Sequence, residues 1–174
     1  MRPTAELGLA MSERTQDAVR LAAQQGVARA QIFLGSMYAN GRGVTQDDNE
    51  AVKWYRLAAE QGVARAQLFL GSMYDQGRGV PQNNTEAVKW VRLAAEQGEA
   101  AAQFGMGAMY LSGRGVPEDI VYAYAWFNLA AARGEKGAAK LQDGMRKHMT
   151  PEQIAEAQQL SQGWVEKNPK LLGQ

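Results

Sequence analysis

Ala30, Phe33, Leu34, Met37 and Tyr38 stand at i, i+3, i+4, i+7 and i+8. That spacing gathers apolar side chains on one face of a helix and leaves the polar residues between them on the other. It predicts a first helix over about 28 to 39. Gly41 follows where a left-handed C-terminal cap belongs, and Gly43 gives the loop a second position open to positive φ, with Arg42 solvated between them. Asp47 precedes Glu50 by three, the spacing of a capping box, and Asn83 with Glu86 repeats it. A second helix starts there and runs through Ala51, Trp54, Tyr55, Ala58 and Ala59 until Gly62 stops it. Its small residues admit a neighbouring helix while tryptophan fills the gap, so Trp54 and Trp90 are expected in the core.

The pattern recurs. Residues 27 to 62 and 63 to 98 match at 28 of 36 positions, and the phrase returns in degraded form from 99 to 134. Gly41, Gly77 and Gly113 share one register, as do Trp54, Trp90 and Trp126, and Tyr38, Tyr74 and Tyr110. A helix pair with one apolar face per helix cannot bury those faces alone, so the units must stack. The expected fold is all-α: a right-handed α-α superhelix, a tetratricopeptide-like solenoid of helix-turn-helix repeats, in a single domain. Repeats occupy 27–62, 63–98 and 99–134, with capping helices over 1–26 and 135–174.

The ends differ from the units as caps should. Asp17 to Gly26 aligns with a second helix but carries Ala18 in the tryptophan register. Gly137 to Met149 holds the register of a fourth first helix, with Lys140 and Asp143 where Phe104 and Gly107 stood. Thr150, Pro151 and Gln153 supply an N-cap, a proline at the first helical position and a glutamine three after the cap. The helix they open carries Ile154, Ala157, Leu160 and Trp164 along one side and is expected to close the exposed end of the stack.

The strings AQ-xx-LG-x-MY-xx-GRGV-x-Q and EAVKW-x-RLAAEQG resemble the Sel-one-like repeat family, relatives of the tetratricopeptide repeat. The resemblance runs directly over 27–134, and WFNLAAARG followed by MTPEQIAEAQ is similar to the closing segment of bacterial members. It implies a non-enzymatic scaffold or adaptor that binds a peptide or partner protein, in signalling, quality control or bacterium-host contact. A secreted branch staples each helix pair with cysteines, and this chain has none. Unit three departs from the pattern at Gly105, Asn128 and Tyr122, which points either to drift towards the cap or to a ligand contact of its own.

In tetratricopeptide-like stacks the first helices line the concave face. That placement puts Arg29, Ile32, Ser36 and Asn40 inward in unit one with Phe33 at the margin. It puts Arg65, Leu68, Ser72, Asp75 and Gln76 inward in unit two with Phe69 beside them, and Phe104 in unit three. Three such helices span roughly 20 to 30 Å, which suits an extended peptide of about six to nine residues. Phe33 lies on the apolar side of the wheel, where phenylalanine is more often core than contact, yet family members often carry a polar residue here. Arg29 and Arg65 suit a carboxylate or phosphate, although solvated arginines in i, i+4 contacts are commoner. Met1 to Met11, with Leu7, Leu9 and Met11, is itself a candidate occupant.

Composition narrows the partners. A length of 174 residues, 45% apolar and 21% charged, is ordinary for a globular chain. Nineteen basic against eighteen acidic side chains give nucleic acid no electrostatic support. Without cysteine there is no disulfide, thiolate metal site or cysteine nucleophile. His148 is the only histidine and reads as solvated surface, so no metal, cofactor or catalytic site is expected. No apolar run reaches the roughly 20 residues of a membrane span. The start lacks a signal core, so the chain as given reads as cytoplasmic, or as periplasmic or secreted if a precursor segment was removed. Asn83-Asn84-Thr85 matches a glycosylation acceptor, but Asn83 is better used as a helix cap. The remaining expectation is a monomeric adaptor; the alternative is a structural protein that self-assembles through the ends of the stack.

Overall fold

The computed structural model describes residues 13–173. Among them the chain forms nine α-helices and no strand. They are α1 (Glu13–Gln24), α2 (Ala28–Asn40), α3 (Asp48–Glu60), α4 (Ala64–Gln76), α5 (Asn84–Glu96), α6 (Ala100–Ser112), α7 (Ile120–Ala132), α8 (Lys136–Met145) and α9 (Pro151–Lys167). A 3-10 turn over Pro169–Leu172 follows. Each helix packs on the next in the order α1 to α8, which gives the all-α superhelical stack expected from the repeat. The expected N-terminal cap before Glu13, and Met1 to Met11 as a candidate occupant of the groove, lie outside the described residues.

Local chemistry sets the helix ends. Gly41, Gly77 and Gly113 cap the first helices at φ 65°, 66° and 66°, donating back to the carbonyls of Met37, Met73 and Met109. Asp47 accepts from the N–H groups of Asn49 and Glu50, and Asn83 from that of Glu86. The reciprocal half of the expected box is not formed. Glu50 pairs instead with Lys53, and Glu86 lies 3.6 Å from Lys89, because a lysine one turn on competes for each carboxylate. The complete box is the one at α9, where Thr150 N–H donates to Gln153 Oε1 at 2.9 Å and Gln153 N–H to Thr150 Oγ1 at 3.2 Å. There the Glu152 carboxyl is held below its ordinary value by its own backbone N–H and by the Thr150 hydroxyl.

Close approach within a unit depends on Gly35, Gly71 and Gly107. A Cβ on Gly107 would lie 2.6 Å from the Phe127 ring, and one on Gly71 2.6 Å from a Val91 methyl. Phe127 is fully buried, so its ring has nowhere to yield. Gly107→Ala is expected to destabilise the chain by about 1–3 kcal/mol in urea unfolding.

Between units, glutamine does what the apolar pattern does not reveal. Gln31, Gln67 and Gln103 are buried, and their amides donate to the carbonyls of Ala23, Ala59 and Ala95 at 3.1, 3.2 and 3.2 Å. These carbonyls lie in the last turn of the preceding helix, where intrahelical donors run out. Gln61 and Gln97 donate in turn to the side-chain oxygens of Gln31 and Gln67, both at 2.8 Å. Arg78 ties the second turn to the first unit through the Asp48 carboxylate at 2.7 Å and the Ala39 carbonyl at 3.1 Å. Arg42, in the same register one unit earlier, is exposed.

One tertiary expectation changes. Trp90 and Trp126 are buried, but Trp54 is only half-buried. Trp54 packs against the cluster of Ala23, Leu34 and Met37, and α1 carries Gln16 and Val19 in the registers where α3 carries Val52 and Tyr55. The front cap therefore gives less apolar cover. At the other end α9 lies mainly on α7, and the 3-10 turn returns to α5 and α7. Leu171 is buried there, its carbonyl accepting from Gln103 at 2.7 Å, while the Leu172 carbonyl accepts from Arg133 at 2.7 Å. The departures in unit three serve this cap. Tyr122 sits between Tyr110 and Trp164, at ring distances of 5.2 and 5.6 Å, and Asn128 donates to Ser161 and accepts from Gln142.

Candidate functional site

A pocket of about 610 Å³ opens between α2 and α4. Arg29, Ile32, Phe33 and Ser36 line it from α2, and Arg65 and Phe69 from α4. The helical period places these residues on one side of each helix, and the 36-residue repeat sets the two sides next to each other. Ala28 and Val63 complete the lining. Neither stood out in the sequence, although a signal was present: Val63 holds the N-cap of α4, where a polar capping side chain is usual, and it makes no side-chain cap bond.

The two phenylalanines are unequal. Phe33 is 45% exposed, against the sequence expectation that its place on the apolar face favours core. Phe69 is half-buried, its ring 5.0 Å from that of Tyr55. The helix preceding Phe69 supplies Tyr55, whereas the helix preceding Phe33 supplies only Val19 in that register. Burial pushes the Tyr55 phenol up, and the Ser36 hydroxyl, Arg78 and Arg65 act against that shift.

The arginines differ as well. The Arg65 guanidinium lies 5.6 Å from the centre of the Phe69 ring, an i, i+4 cation–π contact. Arg29 is exposed and has no hydrogen-bond or ion-pair partner among the described residues.

The other six residues selected from the sequence lie outside this pocket. Asn40 donates to the carbonyl and hydroxyl of Ser36, and Gln76 donates to Ser72 Oγ, so these amides fold back on their own helices. Leu68 packs against the cluster built by α5, α6 and α7. Asp75 accepts from Arg114 at 3.1 Å, a bridge between successive units. Phe104 turns towards Phe127, with ring centres 5.4 Å apart. Beside it Gly105 stands in the register of Phe33 and Phe69, and a Cβ there would already be 3.2 Å from Val91. The aromatic walls therefore stop at α4, and the pocket spans two first helices instead of three. Ala39, next to Asn40, is buried.

Among the described residues no cluster of His, Asp or Glu is arranged to hold a metal ion, and no helix is long and apolar enough to cross a membrane. His148 is exposed.

The Sel1 repeat profile matches residues 28–63, 64–99 and 100–135. Among solved structures, the chain is similar to a Sel1 repeat protein from Oxalobacter formigenes, at 40% identity over 75% of this chain and 98% of that one, with a TM-score of 0.68. It is also similar to c5321, a protective antigen of uropathogenic Escherichia coli strains with the same repeat fold, at 30% identity and a TM-score of 0.68. That likeness covers 90% of this chain but 42% of the antigen. No curated protein sequence matches the chain.

Proposed function

Because this chain belongs to the Sel1 repeat family, whose members generally mediate protein–protein interaction, we propose that it is an adaptor holding a peptide or a segment of a partner protein in the pocket between α2 and α4. The observation that carries this reading is Phe33, a large aromatic side chain left 45% exposed in a concavity of about 610 Å³. Pockets that hold ligands are concave and mostly apolar, with a few polar groups at their edges, and Ser36, Arg29 and Arg65 are such groups here. The family is a non-catalytic scaffold, which agrees with a binding role.

Phe33→Asp is the informative change. The side chain is exposed, so the fold should tolerate it to within about 0.5 kcal/mol, whereas Phe69→Asp would place a charge against Tyr55. In cross-linking pull-downs the native chain should retain a partner that a folded Phe33→Asp chain loses. Retention of the same partner by both would remove the pocket from consideration. Recovery of a second copy of this chain would favour self-assembly.

A further inference from the structure

Granting that the pocket between α2 and α4 is the binding site, we infer that its ligand is an acidic segment: a large apolar residue seated against Phe33 and Phe69, with carboxylates on either side for Arg29 and Arg65.

Charge is the first argument. Arg78 pairs with Asp48 and Arg114 with Asp75, so arginines that join successive units find carboxylates within the protein. Arg29 and Arg65 form no ion pair with any described residue, and the pocket they line contains no acidic side chain. Arg65 is nevertheless held over the Phe69 ring, so a guanidinium is positioned at the apolar floor before any ligand arrives. A carboxylate there would gain a charge-assisted contact without displacing an internal partner.

The helix ends supply a second argument. Arg29 and Arg65 stand in the first turns of α2 and α4, and neither turn contains an acidic residue or receives a side-chain cap. The second helices are the reverse: α3 begins with Asp48 and Glu50 behind the Asp47 cap, and α5 has Glu86 behind the Asn83 cap. Negative charge is favourable at a helix N-terminus. The protein supplies it at α3 and α5 and leaves it unsupplied at α2 and α4, the two helices that frame the pocket.

Spacing gives the ligand a pattern. Arg29 and Arg65 occupy equivalent positions one unit apart and line the same concavity as Ile32, Phe33 and Phe69. Acidic residues bracketing a Phe, Leu, Ile or Met fit that arrangement.

Selection of the whole chain against a random nonapeptide display library tests this. The enriched peptides should carry the bracketed acidic pattern. A synthetic peptide of the consensus should weaken with salt and lose about tenfold in affinity for each of Arg29→Gln and Arg65→Gln. Both arginines are exposed, so these variants should keep their helix content by circular dichroism. Enrichment of apolar peptides without acidic residues, lost on Phe33→Asp but not on Arg29→Gln, would overturn the acidic ligand and leave the pocket standing. Enrichment indifferent to Phe33→Asp, or no enrichment at all, would overturn the pocket and this inference with it.

Discussion

Trp126→Ala should lower the unfolding free energy by about 3–5 kcal/mol in a urea titration, and Trp54→Ala by clearly less. The two tryptophans hold the same register and look equivalent as sequence. Trp126 is 4% exposed, and its ring centre lies 4.9 Å from that of Trp164 on α9, in a cluster that α5, α6 and the C-terminal turn complete. Trp54 is half-buried against the front helix. Truncation at Trp126 leaves a cavity bounded on every side, whereas the site of Trp54 is open to solvent that can fill the space. Trp126→Phe should cost much less than Trp126→Ala, since the buried indole N–H has no acceptor among the described residues and its removal breaks no hydrogen bond. Equal losses for Trp54→Ala and Trp126→Ala would mean that the front of the stack is covered as fully as the back.

Leu171→Ala should cost about 2–5 kcal/mol, a core-sized penalty for a residue in a short 3-10 turn. Leu171 is 3% exposed within the cluster that holds Trp126. The segment around it is fixed by the Gln103 amide on its own carbonyl, by Arg133 on that of Leu172, and by Asn168 Nδ2 on the Glu96 carbonyl at 2.9 Å. Leu172, half-buried next to it, is the control and should lose less on the same truncation. Hydrogen exchange should then quicken in α5 and α7, the helices the turn returns to, before it quickens in α2. Because Leu171 and Trp126 share one cluster, the double variant should lose less than the sum of the two single losses.

The pocket was partly legible before the structure. Alignment on the repeat brought Arg29, Ile32, Phe33, Ser36, Arg65 and Phe69 to one face, and these line one concavity. The same alignment could not separate them from Asn40, Ser72, Asp75 and Gln76, since the face of a helix is fixed by its period whereas the partner of a polar side chain is fixed by its neighbours. Asp75 illustrates the difference. It reads as a groove residue until Arg114, 39 residues later, takes its carboxylate.

The sequence by itself determined the unit: a helix pair of fixed length, its left-handed glycine cap, its Asp or Asn N-cap, and the need to stack. All of these rest on interactions within a few residues, which a single strand of sequence contains in full. Tertiary structure alone decided how much of each tryptophan is covered, which polar side chains are used up between units, and how far the aromatic pocket extends. It also decided that α9 would lie on α7 and return the chain to α5. Those outcomes depend on groups 30 or more positions away, such as the Gln61 amide on the Gln31 side chain and the Gln103 amide on the Leu171 carbonyl, and their balance is set only when the units are packed together.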